Sequence, residues 1–169
     1  MPVDVFDLAA CGERIEGEFE LARLPRLAES LLDTDGTLRY VVKGLVDADG
    51  HPAADLSLRG RLRLECQRCN APLEFDLERD TRFRFVHSEA ELEALPLEDD
   101  EADVIAGSHA MDLAAWVEDE AILSLPLIPR HESCSPVAGR SRQVESTTDR
   151  PNPFAVLAAL KGRGVGESS

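Results

Sequence analysis

Basic residues are scarce in this chain: 18 Lys and Arg stand against 33 Asp and Glu, a formal charge of −15. That charge repels phosphate over the roughly 8 Å that physiological salt leaves unscreened, which argues against autonomous, tight binding of a nucleic acid. Long apolar runs are missing too, and no stretch approaches the roughly 18 apolar residues of a membrane span. The start, Met1-Pro2-Val3-Asp4-Val5, lacks a basic segment followed by an apolar one, so no secretion signal is read there. These absences predict a soluble, cytoplasmic protein with no membrane partner. Only four cysteines occur, and without a secretion signal they are expected to be reduced or metal-bound rather than paired in disulfides. Cys11 lies far from the other three and reads as a lone core or helix cysteine. Catalytic signatures are absent as well: there is no GxSxG elbow, phosphate loop, dinucleotide fingerprint or HExxH. The sequence therefore predicts neither an enzyme nor a small-molecule substrate.

What is present is enough apolar residue, 43% of 169, for one independently folding domain with an appendage. The clearest pattern runs from Asp55 to Val86. Leu56, Leu58, Leu62, Leu64 and Cys66 share one parity, while Ser57, Arg59, Arg61, Arg63 and Glu65 share the other. After the turn Cys66-Gln67-Arg68-Cys69, Leu73, Phe75, Leu77, Phe83 and Phe85 alternate with Glu74, Asp76, Glu78, Asp80, Arg82 and Arg84. Period two means strand, so the stretch reads as a hairpin with one buried and one wet face. Pairing Glu65 with Glu74 sets Arg63 against Asp76, Arg61 against Glu78, Arg59 against Asp80 and Asp55 against Arg84. In that register the arginines are sheet residues first; a slip by two would change the partners and keep the parity.

The flanks add elements of both kinds. Ile15, Phe19 and Leu21 suggest a strand, and Leu24, Leu27, Ala28 and Leu31 a helical stripe with Pro25 in its first turn. After the turn Asp33-Thr34-Asp35-Gly36, Leu38, Tyr40 and Val42 alternate with Arg39 and Lys43 as a further strand, and Asp49-Gly50-His51-Pro52 leads into the hairpin. Ser88 to Leu95 reads as a short helix capped by Ser88 and stopped by Pro96. Glu98-Asp99-Asp100-Glu101-Ala102-Asp103 is an acidic loop, read as solvated surface, without the ligand alternation of a calcium loop. Asp112 caps a helix whose Leu113, Trp116, Val117 and Ala121 face the core until Pro126 and Pro129; its Glu118, Asp119 and Glu120 read as a solvated face rather than a catalytic pair. The fold class predicted is α+β, an antiparallel sheet around the central hairpin with packed helices, forming a body over residues 1–134.

Residues 135–150 are polar and read as a flexible linker. Asn152, Pro153 and Gly162 then delimit a helix over 151–162, with a disordered tail at 163–169. So short a helix is marginal alone, and its Phe154, Leu157 and Leu160 are expected to dock either on the body or on a partner, which makes them the candidate partner-binding residues.

Cys66-x-x-Cys69 and the later His131-x-x-Cys134 together offer four soft ligands in two paired halves, a set that zinc accepts. Ordinary reduced thiols are the competing reading, because the gap between halves exceeds that of compact zinc ribbons. A thioredoxin-like redox role fits less well, since such a motif sits where a strand enters a helix and this one lies between two strands.

Three blocks in order, Leu64-Glu65-Cys66-Gln67-Arg68-Cys69, then Trp116-Val117-Glu118-Asp119-Glu120 with Leu125-Pro126 and His131, then Asn152-Pro153-Phe154-Ala155-Val156-Leu157, carry a resemblance. The chain resembles the bacterial YceD family, the large ribosomal RNA subunit accumulation proteins, over most of residues 55–162. The resemblance implies a non-enzymatic role in the synthesis, processing or stability of large-subunit (23S) ribosomal RNA. The implied partner is the pre-ribosomal large subunit, met through its RNA directly or through a basic ribosomal protein. Some branches of the family carry more C-terminal cysteines than the single Cys134 here. An acidic adaptor acting on the RNA only indirectly, and a zinc- or thiol-dependent protein, are the alternative functions.

Overall fold

The computed structural model describes residues 2–94 and 102–134. The linker, the helix with Phe154, Leu157 and Leu160, the tail and positions 98–101 of the acidic loop lie outside the described residues.

The expected α+β class is what the chain forms. Five strands make one sheet in the order β2 (Arg14–Glu20), β3 (Thr37–Val46), β4 (Pro52–Glu65), β5 (Pro72–Val86) and β6 (Asp103–Ala106). The first four pair antiparallel, as expected of a sheet built around the central hairpin, while β6 joins β5 in parallel. A separate two-stranded ladder sets β1 (Pro2–Val3) against β7 (Met111–Asp112).

Alternation decides the faces. Leu38, Tyr40, Val42, Leu56, Leu58, Leu62, Leu77, Phe83 and Phe85 are buried on one side, joined in a single core by Val5 and Leu8 of α1 (Val5–Cys11), Leu27 of α2 (Pro25–Ala28) and Leu113, Trp116, Val117 and Ala121 of α4 (Leu113–Leu123). Phe83 and Phe85 meet the Trp116 ring edge-on at centroid distances of 5.2 and 5.8 Å. Cys11, at the last turn of α1, is a helix cysteine but an exposed one, not core. The short helix expected after Ser88 forms as α3 (Glu89–Ala94), with Ser88 Oγ accepting from the Glu91 N–H at 3.2 Å.

The hairpin register differs from the expected one by two residues. Glu65 faces Pro72, Arg63 faces Glu74, Arg61 faces Asp76, Arg59 faces Glu78 and Asp55 faces Arg82. The turn is the reason: Cys66 N–H donates to Ala71 O at 3.0 Å and Asn70 N–H to Cys66 O at 2.8 Å, so the loop closes before Pro72 instead of running on to Leu73. Pro72 is tolerated because it opens the strand, where no ladder donor is needed. The arginines remain engaged with acids: Arg61 with Asp76 at 3.0 Å, Arg59 diagonally with Asp80 at 2.6 Å, Arg82 with Asp55 at 2.7 Å, and Arg63 with Asp33. The observed pairing gives a test. Arg61→Glu should lower stability and Asp76→Arg in the same chain should recover part of the loss, whereas Arg63→Glu should show no coupling to Asp76 in a double-mutant cycle read by denaturant unfolding.

The reading of Glu118 and Glu120 as solvated is also corrected. Their residues are 5% and 3% exposed. Glu118 accepts from the Arg26 and Leu27 N–H groups, and Glu120 from Arg79 Nε at 2.9 Å and from the Thr81 hydroxyl. Burial is tolerated because each carboxylate meets charged or backbone donors. Only Asp119 is exposed, as expected for all three.

Candidate metal centre

Two distant segments build the centre. The first is the tip of the β4–β5 hairpin, where Asn70 adopts a left-handed backbone (φ 55°) that lets the chain double back within one turn. Asn visits that region more readily than most residues. The second segment follows α4, which ends at Leu123. Pro126 and Pro129 bar any further helix, and the chain bends to meet the hairpin tip, where Gln67 N–H donates to Pro129 O at 2.9 Å. That contact brings His131 and Cys134 over Cys66 and Cys69.

The four expected ligands therefore meet. Cys66 Sγ lies 3.8 Å from Cys134 Sγ, and Cys69 Sγ lies 3.4 Å from His131 Nδ1. All four ligand atoms fall within 4.8 Å of one another, with Cys66 buried and the other three half-buried. The second ring nitrogen, His131 Nε2, is 3.0 Å from the Pro72 carbonyl. A carbonyl has no proton to give, so Nε2 carries the hydrogen, and in the neutral ring the lone pair sits on Nδ1, facing the sulfurs.

Electrostatics sets the thiols apart. Burial pushes the Cys66 thiol up, but hydrogen bonds from the backbone N–H groups of His131, Arg68 and Cys69, with the Cys69 side chain, overcome it and hold the group at about 5. Cys134 is raised, first by burial and then by its contacts with Cys66 and Cys69. A sulfur that several backbone amides solvate is prepared to exist as thiolate. Three sulfurs and one imidazole nitrogen gathered in this way can hold a metal ion such as zinc. No helix begins at the Cys66–Cys69 turn, so the dipole that activates a thioredoxin-like thiol is not supplied there.

Sequence reasoning found the side chains and missed the carbonyls of Pro72 and Pro129 that orient them, because a backbone acceptor leaves no signature in residue type. A second gathering, Asp47, Asp49 and His51, has ligand atoms equally close, but two of its members are exposed. Its Asp47 carboxylate is already engaged by Arg84 at 2.8 Å and by the His51 N–H at 2.8 Å, so it reads as a turn.

Comparison with known proteins adds the family context. A model of the family described as large ribosomal RNA subunit accumulation protein YceD matches residues 54–161. A protein of that same description from Haemophilus influenzae is 33% identical over 172 aligned positions, covering 95% of this chain and 96% of the relative. No solved structure gives a significant match.

Proposed function

This chain belongs to the YceD family, and we propose on that ground that it is a non-enzymatic ribosome-biogenesis factor acting in the synthesis, processing or stability of large-subunit ribosomal RNA. The observation that carries the reading is the relative's coverage: its name refers to accumulation of that RNA, and the likeness spans 95% of this chain rather than one shared module. Absence of catalysis is supported by how the ionisable groups are used. Glu118 and Glu120, the buried acids among the described residues, are each taken up by structural donors. A metal ion such as Zn²⁺ at Cys66, Cys69, His131 and Cys134 serves this role as a fastener of the fold.

A second reading, an acidic adaptor that reaches the RNA through a basic ribosomal protein, is favoured by one feature of the sheet. Arg59, Arg61, Arg63 and Arg82 all hold carboxylates, so the wet face does not offer a row of free guanidinium groups to phosphates. Affinity purification at native salt is expected to enrich large-subunit precursors, and enrichment of none of their RNA or proteins overturns both readings. Crosslinking by ultraviolet light in cells then separates the two, since direct contact leaves RNA bound to the chain and an adaptor leaves only protein neighbours.

A further inference from the structure

Resting on the metal reading of that cluster, we infer that it is a closed structural Zn²⁺ site in which His131 ligates through Nδ1, and that the ion is what seats residues 129–134 on the hairpin tip. The distances fit the ion. A tetrahedral site with Zn–S bonds of about 2.3 Å and Zn–N bonds of about 2.0 Å has S···S edges of roughly 3.8 Å and S···N edges of roughly 3.5 Å. The Cys66–Cys134 and Cys69–His131 separations are 3.8 and 3.4 Å. A disulfide requires about 2.05 Å between sulfurs, so the cluster is spaced for an ion shared among four atoms and not for a bond between two.

The surroundings carry the same assignment. His131 donates its Nε2 hydrogen to Pro72 O, which fixes the ring orientation and leaves Nδ1 as the ligating nitrogen, as the outer partner of a metal-bound histidine does. Backbone hydrogen bonds from Arg68, Cys69 and His131 converge on Cys66 and would offset the net negative charge of three thiolates around one divalent cation. Soft thiolates with one imidazole select zinc over magnesium or calcium, which take oxygen ligands. Four protein ligands leave no open position for water, so the site is structural and not hydrolytic.

The mechanical consequence follows from how little else holds the second segment. Residues 131–134 lie in no helix or strand. Two backbone-acceptor hydrogen bonds, Gln67 N–H to Pro129 O and His131 Nε2–H to Pro72 O, are the ties described between residues 129–134 and the hairpin besides the sulfur and imidazole contacts. With the ion removed, the metal–ligand bonds that join the two segments are lost, only these two hydrogen bonds and the thiol and imidazole contacts remain, and the segment lifts.

The test uses the full chain purified under reducing conditions. One zinc per chain is expected, with a single fast-reacting thiol, the exposed Cys11, before chelation and four after chelation and unfolding. Substitution by Co²⁺ should give the intense visible bands of a tetrahedral site and strong sulfur-to-metal charge transfer. Nitrogen-15 shifts of His131 should place the metal on Nδ1 and the proton on Nε2. Chelation should speed amide hydrogen exchange at Gln67 at least tenfold while the amides of β3 stay protected, and Cys69→Ser or His131→Gln should weaken zinc binding at least tenfold. A folded, reduced chain with four freely reacting thiols and no affinity for zinc overturns the inference together with the metal reading. Zinc bound through His131 Nε2, or a Gln67 amide whose exchange ignores chelation, overturns the inference alone, and neither outcome bears on the ribosomal role.

Discussion

Gly44→Val is expected to destabilise the domain by about 3–5 kcal/mol, a large part of the roughly 5–15 kcal/mol that holds a domain folded. Gly44 sits opposite Ala54 in the β3–β4 ladder, beneath α1. A Cβ placed there would lie 2.0 Å from the Leu8 carbonyl oxygen, 2.4 Å from its carbon and 2.9 Å from the Ala9 nitrogen. All three are backbone atoms, so no side-chain rotation relieves the clash, and α1 must leave the sheet. Its departure exposes Val5 and Leu8, which are 0% and 1% accessible, each worth about 1.5–3 kcal/mol of burial. Part of that loss is recovered if the helix settles a little farther out, which sets the lower end of the range. Denaturant unfolding measures it, and a variant as stable as the wild type would mean that α1 does not pack on β3.

The second large effect is expected at Glu118. Helix α2 is four residues long, and its own N-cap, Leu24, supplies no side-chain acceptor. The acceptor comes from α4: Glu118 takes the Arg26 N–H at 2.7 Å and the Leu27 N–H at 3.1 Å, and also binds the Arg26 guanidinium at 3.0 Å. Glu118→Ala strands those donors in a buried setting, at about 1–3 kcal/mol for the unsatisfied groups, and it opens a gap where the two helices meet. A total loss of about 2–4 kcal/mol is expected, with Glu118→Gln intermediate because its amide oxygen still accepts. Neighbouring Asp119 binds the same arginine at the surface, and Asp119→Ala should stay within about 0.5 kcal/mol of wild type, as for most surface substitutions. Equal effects at the two positions, read from melting curves, would contradict the capping role.

These two sites also mark where the sequence was readable and where it was not. Period-two alternation gave the faces of β3, β4 and β5, because the side-chain direction of a strand depends only on parity. Register depended instead on how the Cys66–Ala71 loop closes, a matter of two backbone hydrogen bonds and a left-handed Asn70, and counting from the wrong turn shifted every pair by two. Parallel β6 has only four residues, too few for a pattern. Helix α1 was not read from the sequence: Asp4 caps it through the Phe6 and Asp7 N–H groups and Gly12 closes it at φ 63°, but its seven residues carry little periodicity. Glu120 was legible: it falls seven residues after Leu113 and four after Trp116, on the core stripe itself, and the assumption that a carboxylate must face water hid it. Its buried partner Thr81 and the arginine Arg79 come from β5, 39 and 41 positions away. The ligand set of the metal centre could be read as two short spacings, while the meeting of its halves rests on the Gln67–Pro129 contact, which has no local pattern at all.

The ratio of large- to small-subunit ribosomal RNA, measured in cells whose gene for this protein has been removed and then restored, tests the account most directly. The predicted result is a fall in the ratio on removal and full recovery when the wild-type chain returns. A ratio that does not fall on removal, or that stays low although the restored protein is folded and present at its normal level, would contradict it.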